Sequence, residues 1–159
     1  MSNVRSDDGE RGIAISETKQ QILTTSVGNQ VFGMPVLSVQ DILRPRNVAN
    51  VPKAPADVAG LINLRGRIVT VVDLRQWLGF DPASVNEQMH IVIEHEDELY
   101  SFLVDSVGDV VMVDTENVEA IPPSLPSSWK TIADSVVRHE EDLIIIIDVS
   151  VLIAALATV

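Results

Sequence analysis

The chain has 159 residues, 46% apolar and only 4% aromatic, with a net charge of −12 at pH 7, which is length enough for one domain with a core of Val, Ile and Leu, residues that favour strands. The absence of cysteine excludes disulfides, thiolate metal sites and a cysteine nucleophile, and a pI near 4.4 with few stacking rings disfavours nucleic acid. The charge is unevenly spread: Lys19 to Phe80 holds seven Lys/Arg against three Asp/Glu, and Asp81 to Val159 holds two against sixteen, an asymmetry that suits two faces meeting different partners.

Met1 to Thr18 is polar and lacks the apolar stretch of a secretory signal, so a disordered tail and a cytoplasmic protein are expected; Ser2 excludes N-myristoylation. Gln20 to Val27 alternates loosely and turns at Gly28-Asn29 into Gln30 to Met34, a hairpin. Val36, Val39, Ile42 and Leu43 recur at helical spacing over a run too short to separate helix from strand. Pro45, Pro52 and Pro55 punctuate a loop, and Pro55 to Gly60 reads as one helical turn. Leu61 to Leu64 and Arg67 to Val72 form a second hairpin across Arg65-Gly66. Asp73 caps a short helix through Leu78 that Gly79 closes.

The second half repeats this plan. A shift of 68 positions sets Val36 on Val104, Ser38 on Ser106, Val39 on Val107 and Asp41 on Asp109, with the turn Gly28-Asn29 on Glu96-Asp97. A shift of 75 sets Asp73 on Asp148 and Ile68 to Val72 on Leu143 to Ile147, the difference being absorbed by the proline-rich stretch Ile121 to Trp129. Leu143 to Val159 therefore reads as a buried strand and a short helix; Asp148 and Ser150 interrupt it too soon for a membrane span. Residues 19–155 form one domain with halves of about 19–80 and 81–155, two similar units packed together as small barrels or a sandwich.

No catalytic set emerges. His90, His95 and His139 are scattered without metal-type spacing, Glu94 to Glu98 is a solvated turn, and Asp73 and Asp148 are accounted for as helix caps. Phosphate-binding loops and nucleophile elbows are absent. No catalytic residue, metal or cofactor is expected.

One segment stands out: Gly60 to Arg75, reading G-L-I-N-L-R-G-R-I-V-T-V-V-D-L-R, puts two arginines at a tight turn leading into an apolar strand. With V-Q-D-I-L at Val39 to Leu43, Pro55, and F-L-V-D-S-V at Phe102 to Val107 following in order, it resembles the signature of the CheW family, coupling proteins of bacterial chemosensory arrays. The resemblance implies a mainly β fold of two SH3-like five-stranded β-barrels packed around a shared apolar core with a few short helices, and no enzymatic activity. It implies as partners the regulatory domain of a CheA-type histidine kinase and the cytoplasmic tip of methyl-accepting chemoreceptors, with association to membrane arrays only through them. Carried over residue by residue, Val36, Val39 and Val104 would supply apolar contacts in a receptor groove between the barrels, with Gly60, Asn63 and Arg65 beside them. Asp41, Ile42 and Leu43 would form the kinase-facing edge. Two alternatives stay open: a CheW-like scaffold of a sensory pathway other than chemotaxis, and a small-molecule-binding β-barrel protein with His90 or Asp105 in a cleft.

Overall fold

The computed structural model describes residues 19–156 apart from 115 and 117; the tail expected over residues 1–18 lies outside them. β-Branched, alternating segments make eleven strands: β1 Lys19–Val27, β2 Gln30–Pro35, β3 Val39–Leu43, β4 Val58–Leu64, β5 Arg67–Asp73, β6 Met89–His95, β7 Glu98–Val104, β8 Ser106–Asp114, β9 Val118–Glu119, β10 Ala133–His139 and β11 Asp142–Ile147. Helix α1 is Leu74–Leu78, α2 is Ser127–Ile132 and α3 is Val149–Ala155. Among the described residues, no helix is long and apolar enough to cross a membrane.

Sheet A runs β8-β1-β2-β11-β10-β9 and sheet B runs β3-β6-β7-β5-β4. Replacing β3, β6, β7, β5 and β4 by their equivalents in the repeat (β8, β1, β2, β11 and β10) turns the order of sheet B into that of sheet A without its two-residue β9. Each sheet also holds one parallel pair at the same place, β2 with β11 and β5 with β7. The sequence halves are thus not the structural halves: sheet A takes the β1–β2 hairpin from the first half and four strands from the second, and sheet B takes the β6–β7 hairpin from the second half and three strands from the first. Residue 80 separates the repeats but not the two sheets, each of which has strands on both sides of it. Register breaks between Val58 and Gly60 and between Ala133 and Ser135 fall at equivalent places, and such bulges bend a sheet toward closure.

Three apolar clusters follow. Leu43, Ile62, Leu64, Val69, Val71 and Leu103 are among those filling barrel B; Ile22, Val113, Val137, Ile144 and Ile146 fill barrel A. The largest joins both sheets, with Phe32, Met34, Phe102, Val104, Ile145 and Leu152 in it. Trp129 of α2 sits there edge-on to Phe32, ring centroids 5.7 Å apart.

Local expectations meet three outcomes. Asp73 and Asp148 cap α1 and α3, accepting the Gln76 and Val151 N–H groups at 3.3 and 3.1 Å. Val36 to Leu43 is both things at once, a 3-10 turn over Val36–Ser38 and then β3. The helical turn read over Pro55 to Gly60 is corrected: Val58 N–H bonds the Pro55 carbonyl at 3.0 Å, closing a single β-turn. β4 then starts at Val58, because Val58 and Gly60 pair with Val72 and Val71.

Candidate functional site

The Asn63–Gly66 corner is built by its backbone. Arg65 and Gly66 have φ of 52° and 86°, the left-handed pair of a type I′ hairpin turn, and the Asn63 side-chain carbonyl accepts the Gly66 N–H at 3.0 Å. An arginine in that conformation costs about 1–2 kcal/mol. The side chain it presents is 76% exposed, yet its Nη2 lies 3.0 Å from Asp41 Oδ2. Asp41 is itself held, its Oδ1 accepting the Ile42 N–H at 2.8 Å. A surface pair of this kind contributes roughly 0–1 kcal/mol, so it aims the arginine more than it holds the fold. β3 and β4 are the two edges of sheet B, and the pair spans the seam between them.

The other sequence-derived residues divide by burial. Val36 opens the 3-10 turn and Val39 follows it, both half-buried and packed on the central core. Val104 is 0% exposed within that core, so it packs the barrels together and offers a partner no surface. Leu43 is likewise buried inside barrel B, whereas Ile42 is 40% exposed, because alternation along β3 sends them to opposite faces. Gly60 is structural: its φ is +152°, and a Cβ there would lie 2.1 Å from the Ala49 carbonyl oxygen. The missing side chain lets residue 49 pair with Leu61 through hydrogen bonds of 2.8 and 2.9 Å.

Buried side chains of both sheets pack together where the barrels meet. One concave stretch of surface lies at one end of barrel A. A cavity of about 330 Å³ there is lined by Val36, Leu37 and Met112 but by neither Asn63 nor Arg65. Leu37 is entirely exposed and Met112 is 53% exposed. Sequence reading passed over both; in the run Val36 to Leu43 only the turn geometry decides which apolar residue faces out.

A second feature it passed over joins two of the quoted motifs. Arg75, at the end of D-L-R, grips Asp105, in V-D-S-V, through Nε at 3.1 Å and Nη2 at 2.7 Å. Asp105 Oδ2 also accepts the Gly28 N–H at 2.7 Å, and Arg75 Nη1 reaches the Asp81 carbonyl at 2.7 Å. Burial pushes the Asp105 carboxyl upward, but the hydrogen bonds from Arg75 and Gly28 and the guanidinium charge outweigh it and hold the group below the usual carboxylate range. Asp105 lies between β7 of sheet B and β8 of sheet A, so this pair clamps the crossing between barrels.

His90 is fully buried, its Nδ1 2.7 Å from Ser101 Oγ. Burial, with help from the Arg46 charge, lowers its pKa to about 4. Neither His90 nor Asp105 lines the cavities at the end of barrel A. No cluster of His, Asp and Glu suited to a metal occurs among the described residues.

A CheW-like domain model matches residues 21–157. The chain belongs to the CheW-like domain family. The chemotaxis protein CheW of Treponema pallidum is 23% identical over 142 residues, covering 86% of this chain and 84% of that protein. Protein PilI of Pseudomonas aeruginosa is 30% identical over 100 residues, 61% of this chain and 56% of its own length. The crystal structure of scaffolding protein TtCheW from Thermoanaerobacter tengcongensis superposes with a TM-score of 0.73 at 23% identity, over 82% of this chain and 89% of that one. The CheW-like fold thus consists here of two small SH3-like barrels. Its motif residues do two kinds of work: Asn63, Arg65 and Asp41 shape an exposed corner, while Gly60, Arg75, Val104 and Asp105 hold the scaffold.

Proposed function

We propose that this chain is a non-catalytic adaptor coupling methyl-accepting chemoreceptors to a CheA-type histidine kinase in a bacterial chemosensory array, working in the cytoplasm and reaching the membrane only through its partners. The observation that carries this reading is the family match over residues 21–157, together with a relative of nearly full coverage named as a chemotaxis protein. Val36, Val39, Asn63 and Arg65 are assigned to the receptor, and Asp41 and Ile42 to the kinase domain. Arg65 on Asp41 then couples the two contacts, since a partner that draws on either group shifts the other.

Charge supports two unlike partners. The repeat sets Glu140 where barrel B has Arg65, both at positive φ, and Asp109 where barrel B has Asp41. Equivalent corners of the two barrels therefore differ in charge, and complementary potentials select different partners. Calorimetric titration with a CheA regulatory fragment is expected to give saturable binding; none at high micromolar concentration would refute the reading. Arg65→Glu is expected to abolish receptor-dependent kinase activation while the far-ultraviolet circular dichroism is retained, and activation equal to the parent would remove Arg65 from the site. The second reading, a CheW-like scaffold of another sensory pathway, has in its support that one relative, Protein PilI, is not named a chemotaxis protein. It predicts binding to a kinase of that pathway in preference to the chemotaxis kinase.

A further inference from the structure

We propose that the end of barrel A is a docking furrow for an amphipathic helix whose apolar ridge starts at a cationic N-terminal residue. It shares Val36 with the receptor contacts assigned above, and it rests on the adaptor reading in that residue and in taking a protein segment as the occupant; it does not use the Arg65 corner.

The furrow is continuous. The cavity of about 330 Å³ beside Leu37 and Met112 shares Gln20 and Pro35 with a second of about 220 Å³ reaching Asp134 and Asp148. A third, of about 110 Å³, continues from Gln20 and Asp134 to Val118. Its floor crosses the start of β1, the end of β2, the end of β11 and the start of β10. It offers side chains from several elements and no single strand edge along its length, so a helix laid in a groove fits it better than an added strand.

The furrow is chemically polarised. At one end Leu37 is wholly exposed, with Val36 and Met112 beside it and Lys19 at the rim. Lys19 stands 3.9 Å from Asp114. At the other end lie the exposed Asp134 and the half-buried Asp148, with Ser38 and Ser150 also in the lining. A fully exposed leucine on a short ordered turn is the kind of side chain an interface buries as an anchor. The two carboxylates favour a lysine or arginine, and they also favour the positive end of a helix dipole, which is its N-terminus. Both preferences set the same direction: cationic N-terminus on Asp134 and Asp148, apolar residues on Leu37 and Met112, C-terminus toward Lys19.

The test uses the full chain and two synthetic helical peptides of about 18 residues with leucines at i, i+3, i+4 and i+7, one with lysines in its first turn and one with glutamates there. Fluorescence anisotropy is expected to show saturable binding of the lysine peptide, weakened about tenfold by Leu37→Asp and unchanged by Arg65→Glu. The glutamate peptide is expected to bind at least about fivefold more weakly, and Asp134→Asn to narrow that gap. Since the chain has no cysteine, Leu37→Cys carrying an environment-sensitive dye gives a second readout, a blue shift on adding the lysine peptide. Absence of binding, binding indifferent to Leu37→Asp, or equal affinity for the two peptides overturns the inference. Loss of kinase binding with peptide binding intact would instead sink the adaptor reading alone.

Discussion

Breaking the Arg75–Asp105 clamp is the sharpest probe of how the barrels are held. The side chains are 17% and 27% exposed, so the pair is partly shielded without being dry. At an effective dielectric near 20, two charges about 4 Å apart attract by roughly 4 kcal/mol, from which desolvation and residual screening subtract. Hydrogen bonds to charged groups contribute about 1.5–3 kcal/mol net, and Asp105 accepts three. Asp105→Asn is therefore expected to cost about 2–3 kcal/mol. At roughly 2–4 °C per kcal/mol for a domain near 150 residues, Tm should fall by about 4–12 °C. Arg75→Met should cost a similar amount, and a double-mutant cycle should return a coupling of about 2 kcal/mol. Urea unfolding followed by tryptophan fluorescence is the assay, because Trp129 is buried in the core shared by both barrels and Trp77 packs against it. The pH dependence provides a check. The folded pKa of Asp105 is depressed, so the pair's stabilisation is present above the unfolded value near 4 and is lost as pH falls through the folded value. Asp105→Asn should flatten that acid limb. A loss under about 0.5 kcal/mol, or coupling indistinguishable from zero, would refute the clamp, since surface substitutions fall in that range.

Three further outcomes are expected. Gly60→Ala places a Cβ against the Ala49 carbonyl at a strained φ and should cost more than about 3 kcal/mol, read as a Tm drop of on the order of 10 °C; a drop under 2 °C would show that residues 44–52 move away freely. His90 has a folded pKa of about 4 against about 6.5 unfolded, so the unfolded chain binds the proton first. Stability should decline as pH falls from about 6.5 to 4 by up to about 3 kcal/mol, and His90→Phe should remove that slope in denaturant titrations at a series of pH values. Arg65→Gly relieves the left-handed arginine while losing the surface pair with Asp41. Stability should stay within about 1 kcal/mol of the parent while receptor-dependent kinase activation is lost, and retained activation would show that the guanidinium is dispensable.

The sequence by itself determined whatever is decided within a few residues. The carboxylate before a helix at Asp73 and Asp148, the Arg65-Gly66 turn and the strand run after it depend on caps, turn geometry and alternation, all local. The repeat spacing of 68 and then 75 residues even carried the equivalence of strands. Misreading Pro55 to Gly60 as helical shows the limit of such reading: what makes Gly60 a strand residue is its pairing with Val71 and the carbonyl of Ala49 pressed against it.

Only the tertiary structure decided which strands share a sheet, because a pattern of alternation names a buried face but no neighbour, and the hairpins of the two halves are exchanged. The same choice buried Val104 between the barrels, left Leu37 in solvent, and set Arg65 on Asp41 and Arg75 on Asp105. Partners 24 and 30 residues apart meet because chain crossings bring them together, and the free energy that selects those crossings comes from the shared apolar core, a property no short window of sequence contains.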